Sequence, residues 1–390
     1  MSLYMNVCLI TTAQPVDYSR FLPREAATLA GDGFNVTLVG LPAGSNPRSV
    51  PGVTLCPVVL PAGMRKPVTL GPMADAVRQA RPAVCHCFDP WALRIGLALK
   101  REDPGVKVVY DSTELFPAVF RDRTDLAWPV RAAATAAVRH LERRAAREAD
   151  VIIETNATRA ERFRRLGRTP VLVQNYPPRP TRPPAANRDV NRVVYTGMMT
   201  RERGFPVLLE AFSAVAGEKA SARLLVIGRF DPRSDIETRT THFIKEHGLA
   251  DRVRFEPWLA YDRMAKELER CGVGVILLQP ERENDRTGQP NKLFDFMAAG
   301  LAVLASDFPE IGPVVRREGC GMTVDPTDAG MVSSALVRLL TDPAEVAKMG
   351  RRGRAAVERE YNWDTAAARL IAAYREMLGH RPPGAGRHCG

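Results

Sequence analysis

The stretch Thr287–Gly300, TGQPNKLFDFMAAG, carries the strongest chemical signal in this sequence. It follows the apolar run VGVILL, which reads as a buried strand, and Pro290 stands where a helix favours its first residue. Gly300 supplies the stop. A helix starting there aims free backbone N–H groups and the positive end of its dipole beyond the strand, worth about 0.3–2 kcal/mol to a bound anion. Lys292 adds a full charge in the first turn. Asp295, three residues on, shares that face and can accept hydrogen bonds from ribose hydroxyls. A second segment, Tyr195–Gly204 (YTGMMTRERG), ends a strand at Gly197 and leads through a loop to Arg203, whose guanidinium can clamp a diphosphate bidentately. Together these residues describe a site for a phosphorylated ligand. Neither G-x-G-x-x-G after a first strand nor G-x-x-x-x-G-K-[ST] occurs, which argues against a dinucleotide oxidoreductase and a P-loop NTPase.

The run Cys85-His86-Cys87 has no second Cys/His pair at ligand spacing. Alternation along a strand puts the two thiols on one face and His86 on the other, so buried strand residues are the better reading. The seven cysteines are scattered and mostly sit in apolar runs, which points to a reducing, cytoplasmic setting. The opening run MNVCLITT is short and lacks a basic leader, so it reads as a first strand rather than a secretory signal. No stretch approaches the roughly 20 apolar residues that span a bilayer.

The elements that must position these residues come in two sets. Strands at Asn6–Thr11, Asn35–Leu41, Val53–Val58, Ala83–His86, Val106–Tyr110, Val151–Glu154 and Pro170–Gln174 alternate with helices near Arg20–Gly31, Pro67–Gln79, Pro90–Lys100 and Pro129–Glu148. The proline-rich run Pro177–Asn187 breaks the pattern and reads as a stiff linker. Beyond it the rhythm restarts with strands at Val193–Thr196, Leu224–Ile227, Val253–Glu256, Val273–Leu278 and Ala302–Ser306. Such alternation predicts two parallel-sheet α/β domains, over residues 1–177 and 191–360, joined by a linker at 178–190. A closing helix at about 363–378 and a disordered tail at 381–390 complete the chain. Ligands of open α/β sheets bind outside the carboxyl ends of the strands, so the crevice between the two domains is the expected site.

The 390 residues carry 55 Lys+Arg and 44 Asp+Glu, a net charge of +11. Residues 121–180 alone hold 13 basic and 7 acidic side chains, many of the former on one helix. An anionic small molecule, an anionic membrane surface or a solvated basic face accounts for this. The basic residues are not interleaved with aromatics and no nucleic-acid module is visible, so nucleic acid is not expected as a partner.

With these motifs in hand, the chain resembles the GT-B glycosyltransferases of the large retaining family 4, nearly end to end. TTAQPVDYSRFLPREAATLAGDGFNVTLV, CFDPWALRIGLALK and VVYDSTELFP are similar to that family's acceptor-binding domain. VVYTGMMTRERG, QPNKLFDFMAAGLAVLASDFPEIG and YNWDTAAARLIAAY are similar to its nucleotide-sugar domain and closing helix. The resemblance implies two Rossmann-like domains facing each other across a cleft, with the closing helix packed back on the first. It implies sugar transfer from a nucleoside diphosphate sugar to an acceptor hydroxyl with retention, in polysaccharide, glycolipid or glycoconjugate synthesis.

By position, Arg203 and Lys292 stand for the family's phosphate ligands and Asp295 for its ribose-binding carboxylate. Gly197 and the backbone around Gly288 would meet the diphosphate and sugar. The family's Glu-x7-Glu pair is here Thr287 and Asp295. Met198 replaces a basic residue, Thr113 the His of a D-x-H-E stretch, and Gln14 the His of the opening loop. Asp17, Arg20, Asp89 and Glu114 remain as polar candidates on loops of the acceptor domain. No Asp-x-Asp motif is present, so no metal and no cofactor is expected, and Arg203, Lys292 and the helix start would supply the charge. The acceptor is a glycan or a lipid-linked molecule, the latter placing the protein at the inner face of the membrane. A nucleotide-sugar epimerase or hydrolase of the same fold, and a non-catalytic sugar-nucleotide-binding subunit, are the rival readings.

Overall fold

The computed structural model describes residues 5–44, 49–59, 70–123, 125–183 and 188–379. They form two units, Met1–Asn175 with Trp363–Gly390, and Tyr176–Asn362. In the first, β1 (Asn6–Pro15), β2 (Asn35–Leu41), β3 (Val53–Pro57), β4 (Val84–Cys87), β5 (Lys107–Ser112), β6 (Val151–Glu154) and β7 (Val171–Leu172) make a seven-stranded sheet. Its order is β3-β2-β1-β4-β5-β6-β7. In the second, β8 (Asp189–Met199), β9 (Arg223–Phe230), β10 (Val253–Glu256), β11 (Cys271–Ile276), β12 (Ala302–Ser306) and β13 (Gly321–Val324) order as β10-β9-β8-β11-β12-β13. Every pairing is parallel.

Parallel sheets are covered on both faces, which is why these strands read as unbroken apolar runs. All six residues of β11 and all five of β12 are buried. In the first unit Cys8, Cys85, Cys87 and Val108 share one core with Leu93 of helix Pro90–Glu102 and Leu141 of helix Trp128–Glu148. In the second, Val193, Tyr195 and Val275 pack with Phe205 and Phe212 of helix Phe205–Glu218 and with Leu336 of helix Ala329–Thr341.

Helix Trp363–Met377 follows the second unit in sequence but belongs to the first. Trp363 Nε1 donates to Thr28 Oγ1 at 2.9 Å, Arg369 to Gln174 at 2.8 Å, and Arg375 pairs with Asp32 at 2.5 Å. Leu370 and Tyr374 are fully buried, each contributing about 1.5–3 kcal/mol of apolar burial.

Several elements differ from the sequence reading. The helix expected at Arg20–Gly31 is wound in two parts: Phe21–Ala26 is a π-turn, with Glu25 N–H donating to Arg20 O at 3.1 Å, and Ala27–Gly31 is α-helical. The strand expected at Pro170–Gln174 shrinks to β7, and β13 and helices Phe116–Arg121, Ala157–Arg164 and Gly312–Glu318 were not anticipated. β8 begins at Asp189, inside the expected linker. Residues 184–187 of that linker, residues 67–69 and the expected tail at 381–390 lie outside the described residues.

Candidate functional site

Each sheet has one switch point, where successive connections run in opposite directions: between β1 and β4 in the first, between β8 and β11 in the second. The carboxyl ends of those strand pairs open the crevices where open α/β sheets take ligands.

At the second switch point the sequence candidates converge. β8 reaches Gly197 with φ +121°, a conformation that L side chains rarely adopt. A Cβ built on Gly197 would lie 3.2 Å from Arg203 Nη1 and 3.7 Å from Lys292 Nζ, so both cationic tips flank the space above this glycine. Gly204, with φ +69°, caps helix Phe205–Glu218. Its own Cβ would fall 2.0 Å from Leu277 O, so only glycine lets the Arg203 loop lie against the end of β11. Gln279 N–H donates to Glu202 O at 2.9 Å and Glu202 pairs with Arg282 at 2.6 Å, tying the loops of the two switch strands together.

Lys292 is half-buried, donates to Thr196 O at 2.9 Å and lies 4.8 Å from the centre of the Tyr195 ring. Burial, reinforced by the Arg203 charge and opposed by Asp285, pulls its ammonium down to about 7. Two like charges are thus held around a glycine at the amino end of helix Asn291–Ala298. Pro290 is the N-cap of that helix rather than its first residue, a shift of one position from the sequence reading. Leu301 N–H donates to Phe296 O and Gly300 N–H to Met297 O, both at 2.9 Å, closing the helix at Gly300 as expected.

Gly288 is buried, its N–H directed to Asp285 O at 3.3 Å. Thr287 turns its hydroxyl back onto Glu283 O at 2.7 Å. Asp295 accepts from Tyr261 Oη at 3.0 Å, one turn along the helix from Lys292. Tyr261, Gly204 and Glu202 were missed by the sequence reading. The dipeptide Arg-Gly before a helical run was the available signal for Gly204; Tyr261 left none, since its partner lies 34 residues away.

The four polar candidates of the first unit fare differently. Asp89 is buried and is the N-cap of helix Pro90–Glu102, accepting from Trp91 N–H at 3.0 Å, Ala92 N–H at 2.9 Å, Thr12 N–H at 2.7 Å and Thr12 Oγ1 at 2.8 Å. Arg20 is 2% exposed, with Nη2 on Asp111 at 2.7 Å, Nε on Glu25 at 2.8 Å and Nη1 on Val173 O at 3.1 Å. Both side chains are engaged inside the unit, one as a cap and one as a buried counter-ion. Asp17 is half-buried on the turn after β1. The Glu114 side chain is 49% exposed and is held by Arg159 at 3.3 Å, on the loop after β5.

The Arg20 partners belong to a cluster that sequence reasoning did not assemble. His86 Nε2 lies 3.3 Å from Glu25 and 3.6 Å from Asp111, and His86 Nδ1 is 2.8 Å from Tyr374 Oη of the closing helix. Cys85 and Cys87 join the core on the other face, as strand alternation predicts. Glu25, His86 and Asp111 offer ligand atoms within 4.8 Å of one another, spacing that suits a cation. Arg20 already sits on both carboxylates, however, and a divalent ion there would leave a buried net positive charge. Burial pushes the Glu25 carboxyl well above its usual range and lowers His86; Asp111, which burial would raise, is held at about 2 by Arg20 and His86. Arg20, Glu25, His86 and Asp111 thus form a buried structural ion-pair network.

Two family models match the chain: "Glycosyl transferase 4-like domain" over residues 18–179 and "Glycosyl transferases group 1" over residues 190–342. Among curated proteins, the amylovoran biosynthesis glycosyltransferase AmsK of Erwinia amylovora is 24% identical over 187 residues, 48% of this chain and 45% of that protein. The match thus spans less than half of that relative's length. Among solved structures, a sucrose-phosphate synthase of Thermosynechococcus elongatus superposes with TM-score 0.77 at 21% identity, over 97% of this chain and all of the other. HepE of Anabaena in complex with UDP superposes with TM-score 0.70 at 13% identity, over 95% of this chain and all of the other. At these identities the structural matches establish the fold alone.

Proposed function

We propose, for a chain that belongs to the GT-B glycosyltransferases of family 4, that it moves a sugar from a nucleoside diphosphate sugar to an acceptor hydroxyl with retention of configuration. The observation that carries this reading is the pair Arg203 and Lys292 flanking Gly197 at the switch point of the second sheet. As the bond from the anomeric carbon to the diphosphate oxygen breaks, negative charge grows on the leaving group while the sugar becomes oxocarbenium-like. Two cations and a helix amino end, held in place before the reaction, stabilise that charge without a metal. Gly197 and Gly288 bring backbone close to the phosphates, and Asp295, oriented by Tyr261, accepts from ribose hydroxyls. The acceptor hydroxyl attacks from the leaving-group face and passes its proton to the departing phosphate oxygen, so no protein nucleophile is required. On the acceptor side Asp17 and Glu114 are the polar side chains left for contact. The acceptor is a glycan or a lipid-linked molecule; the similarity to an amylovoran biosynthesis glycosyltransferase and to a UDP-bound structure supports a glycan acceptor and a nucleotide-sugar donor.

The test is a thermal-shift panel of UDP-, GDP- and ADP-sugars. A donor at about 100 times its Kd stabilises the protein by about 2.7 kcal/mol, and Lys292→Ala abolishes the shift. A Lys292→Ala protein that responds like wild type sinks the phosphate assignment. Product analysis with donor alone separates the rivals: a new sugar nucleotide marks an epimerase, free sugar a hydrolase, and binding without turnover on any acceptor a binding subunit.

A further inference from the structure

Helix Trp128–Glu148 covers the first sheet with Val138, Leu141 and Ala145, and its opposite face is bare. That face has an unusual composition. Trp128, in the first turn, is 73% exposed; Val130, 53% exposed, lies about 200° further round the helix. At 3.6 residues per turn, Trp128, Ala132, Ala136, Arg139, Arg143 and Arg147 fall within about a quarter to a third of the helix circumference, forming one stripe about 29 Å long. All six are exposed. The helix has two carboxylates and neither lies on the stripe: Glu142 is buried against Arg162, and Glu148 pairs with Arg144 on the flank at 2.7 Å. Just before the helix, Arg121 and Arg123 are balanced by Asp122 and Asp125. The net charge of the stripe is therefore that of its three arginines.

We propose that this face docks on an anionic lipid surface, with Trp128 entering the boundary between headgroups and acyl chains. Charge complementarity selects the occupant. An exposed Trp at one end prefers the membrane–water boundary, where its ring is apolar and its N–H stays hydrated. The alanines let the helix lie close to the surface, and the three arginines reach headgroup phosphates along the same line. A bound peptide or protein would be expected to find carboxylate-pairing and apolar side chains interspersed; here the apolar tip and the cationic stripe are segregated along the axis, as in helices that lie in an interface. No helix among the described residues is long and apolar enough to cross a membrane, so contact of this kind is peripheral. The proposal does not depend on the sugar chemistry.

The experiment is flotation of the full-length protein with vesicles of phosphatidylcholine alone, or with about one-third phosphatidylglycerol, at low and physiological salt. The expected result is binding to the anionic vesicles, weakened by salt, and none to the neutral ones. Brominated acyl chains quench tryptophan fluorescence in wild type, and Trp128→Phe binds with that quenching lost. Replacing Arg139, Arg143 and Arg147 together by Gln lowers partitioning roughly a hundredfold, about fivefold per arginine. That variant keeps any donor-induced thermal shift, which confirms folding and separates this proposal from the donor-site reading. Arg254→Gln with Arg270→Gln, exposed arginines of the second unit, leaves partitioning unchanged. Absence of wild-type binding, equal binding to neutral vesicles, indifference to the triple substitution, or equally tight binding of single-stranded RNA overturns it.

Discussion

Under the proposed function, Lys292 should make donor binding a proton-coupled event. In the free protein, burial and the facing Arg203 hold its ammonium at about 7. A diphosphate over Gly197 brings opposite charge within reach and returns the group toward its ordinary value of about 10.4. The sign follows from that upward movement. Well below pH 7 Lys292 is already charged in the free protein, so binding takes up almost no proton. Above pH 7 the free group is neutral and must be protonated as the ligand arrives. At pH 8 about nine-tenths of free molecules carry neutral Lys292, so binding takes up about 0.9 proton, and affinity falls about tenfold, or 1.4 kcal/mol, per further pH unit. Calorimetry between pH 6 and about pH 8.5, in two buffers of different ionisation enthalpy, counts the protons directly. A sugar-linked diphosphate is the right titrant, because unlike a free nucleoside diphosphate it has no phosphate titrating near neutrality. Lys292→Arg keeps its charge throughout and gives a flat profile. Arg203→Ala removes the like charge and moves the onset to higher pH. Zero proton uptake with an affinity flat across this range refutes the reasoning.

Gly204→Ala forces a Cβ to within 2.0 Å of Leu277 O at φ +69°, and chemical denaturation should show a loss of at least about 3 kcal/mol, with donor affinity lost alongside. Asp89→Ala removes the acceptor for two helix-start N–H groups and for Thr12, costing about 1–3 kcal/mol in the same assay, while the donor-induced thermal shift persists; loss of that shift would restore Asp89 to the chemistry. In the buried cluster, burial raises the Glu25 carboxyl, so Glu25→Gln, which imitates its protonated form, should stay within about 1 kcal/mol of wild type. Asp111→Asn strands the Arg20 charge and should cost about 3–5 kcal/mol, so equal losses from the two variants would show that the proton is not on Glu25.

What could be read from sequence was local. β11 and β12 are legible because a doubly covered parallel strand must be apolar at every position. Lys292 and Arg203 are legible because helix-start proline, glycine and a nearby cation are encoded within a dozen residues. The Asp89-Pro90 pair was also legible as a cap followed by a first-turn proline, and its attribution to chemistry ignored that simpler signal. The network of Arg20, Glu25, His86, Asp111 and Tyr374 was not legible. His86 and Tyr374 are 288 residues apart, and a buried ion pair imposes no period on the chain. The π-turn that sets Arg20 and Glu25 side by side departs from the 3.6-residue repeat on which helix reading rests.

The two switch points handle charge in opposite ways. At the first, charge beside β1 and β4 is met internally: Asp89 accepts from Thr11, Thr12, Trp91 and Ala92, and Arg20 lies against Asp111 and Glu25. A ligand there would have to displace these bonds. At the second, Arg203 and Lys292 face the same glycine with like sign, and burial, reinforced by the Arg203 charge, lowers the Lys292 ammonium. Such a pair is less stable without an anion than with one. Under the proposed function, the second switch point, electrostatically incomplete, is the one expected to bind the charged substrate, with Asp17 and Glu114 on loops of the first unit. Neutralising the incomplete pair, by Lys292→Met with Arg203→Met, should accordingly raise the stability of the free protein while abolishing donor binding, a combination that a merely structural role for these cations does not produce.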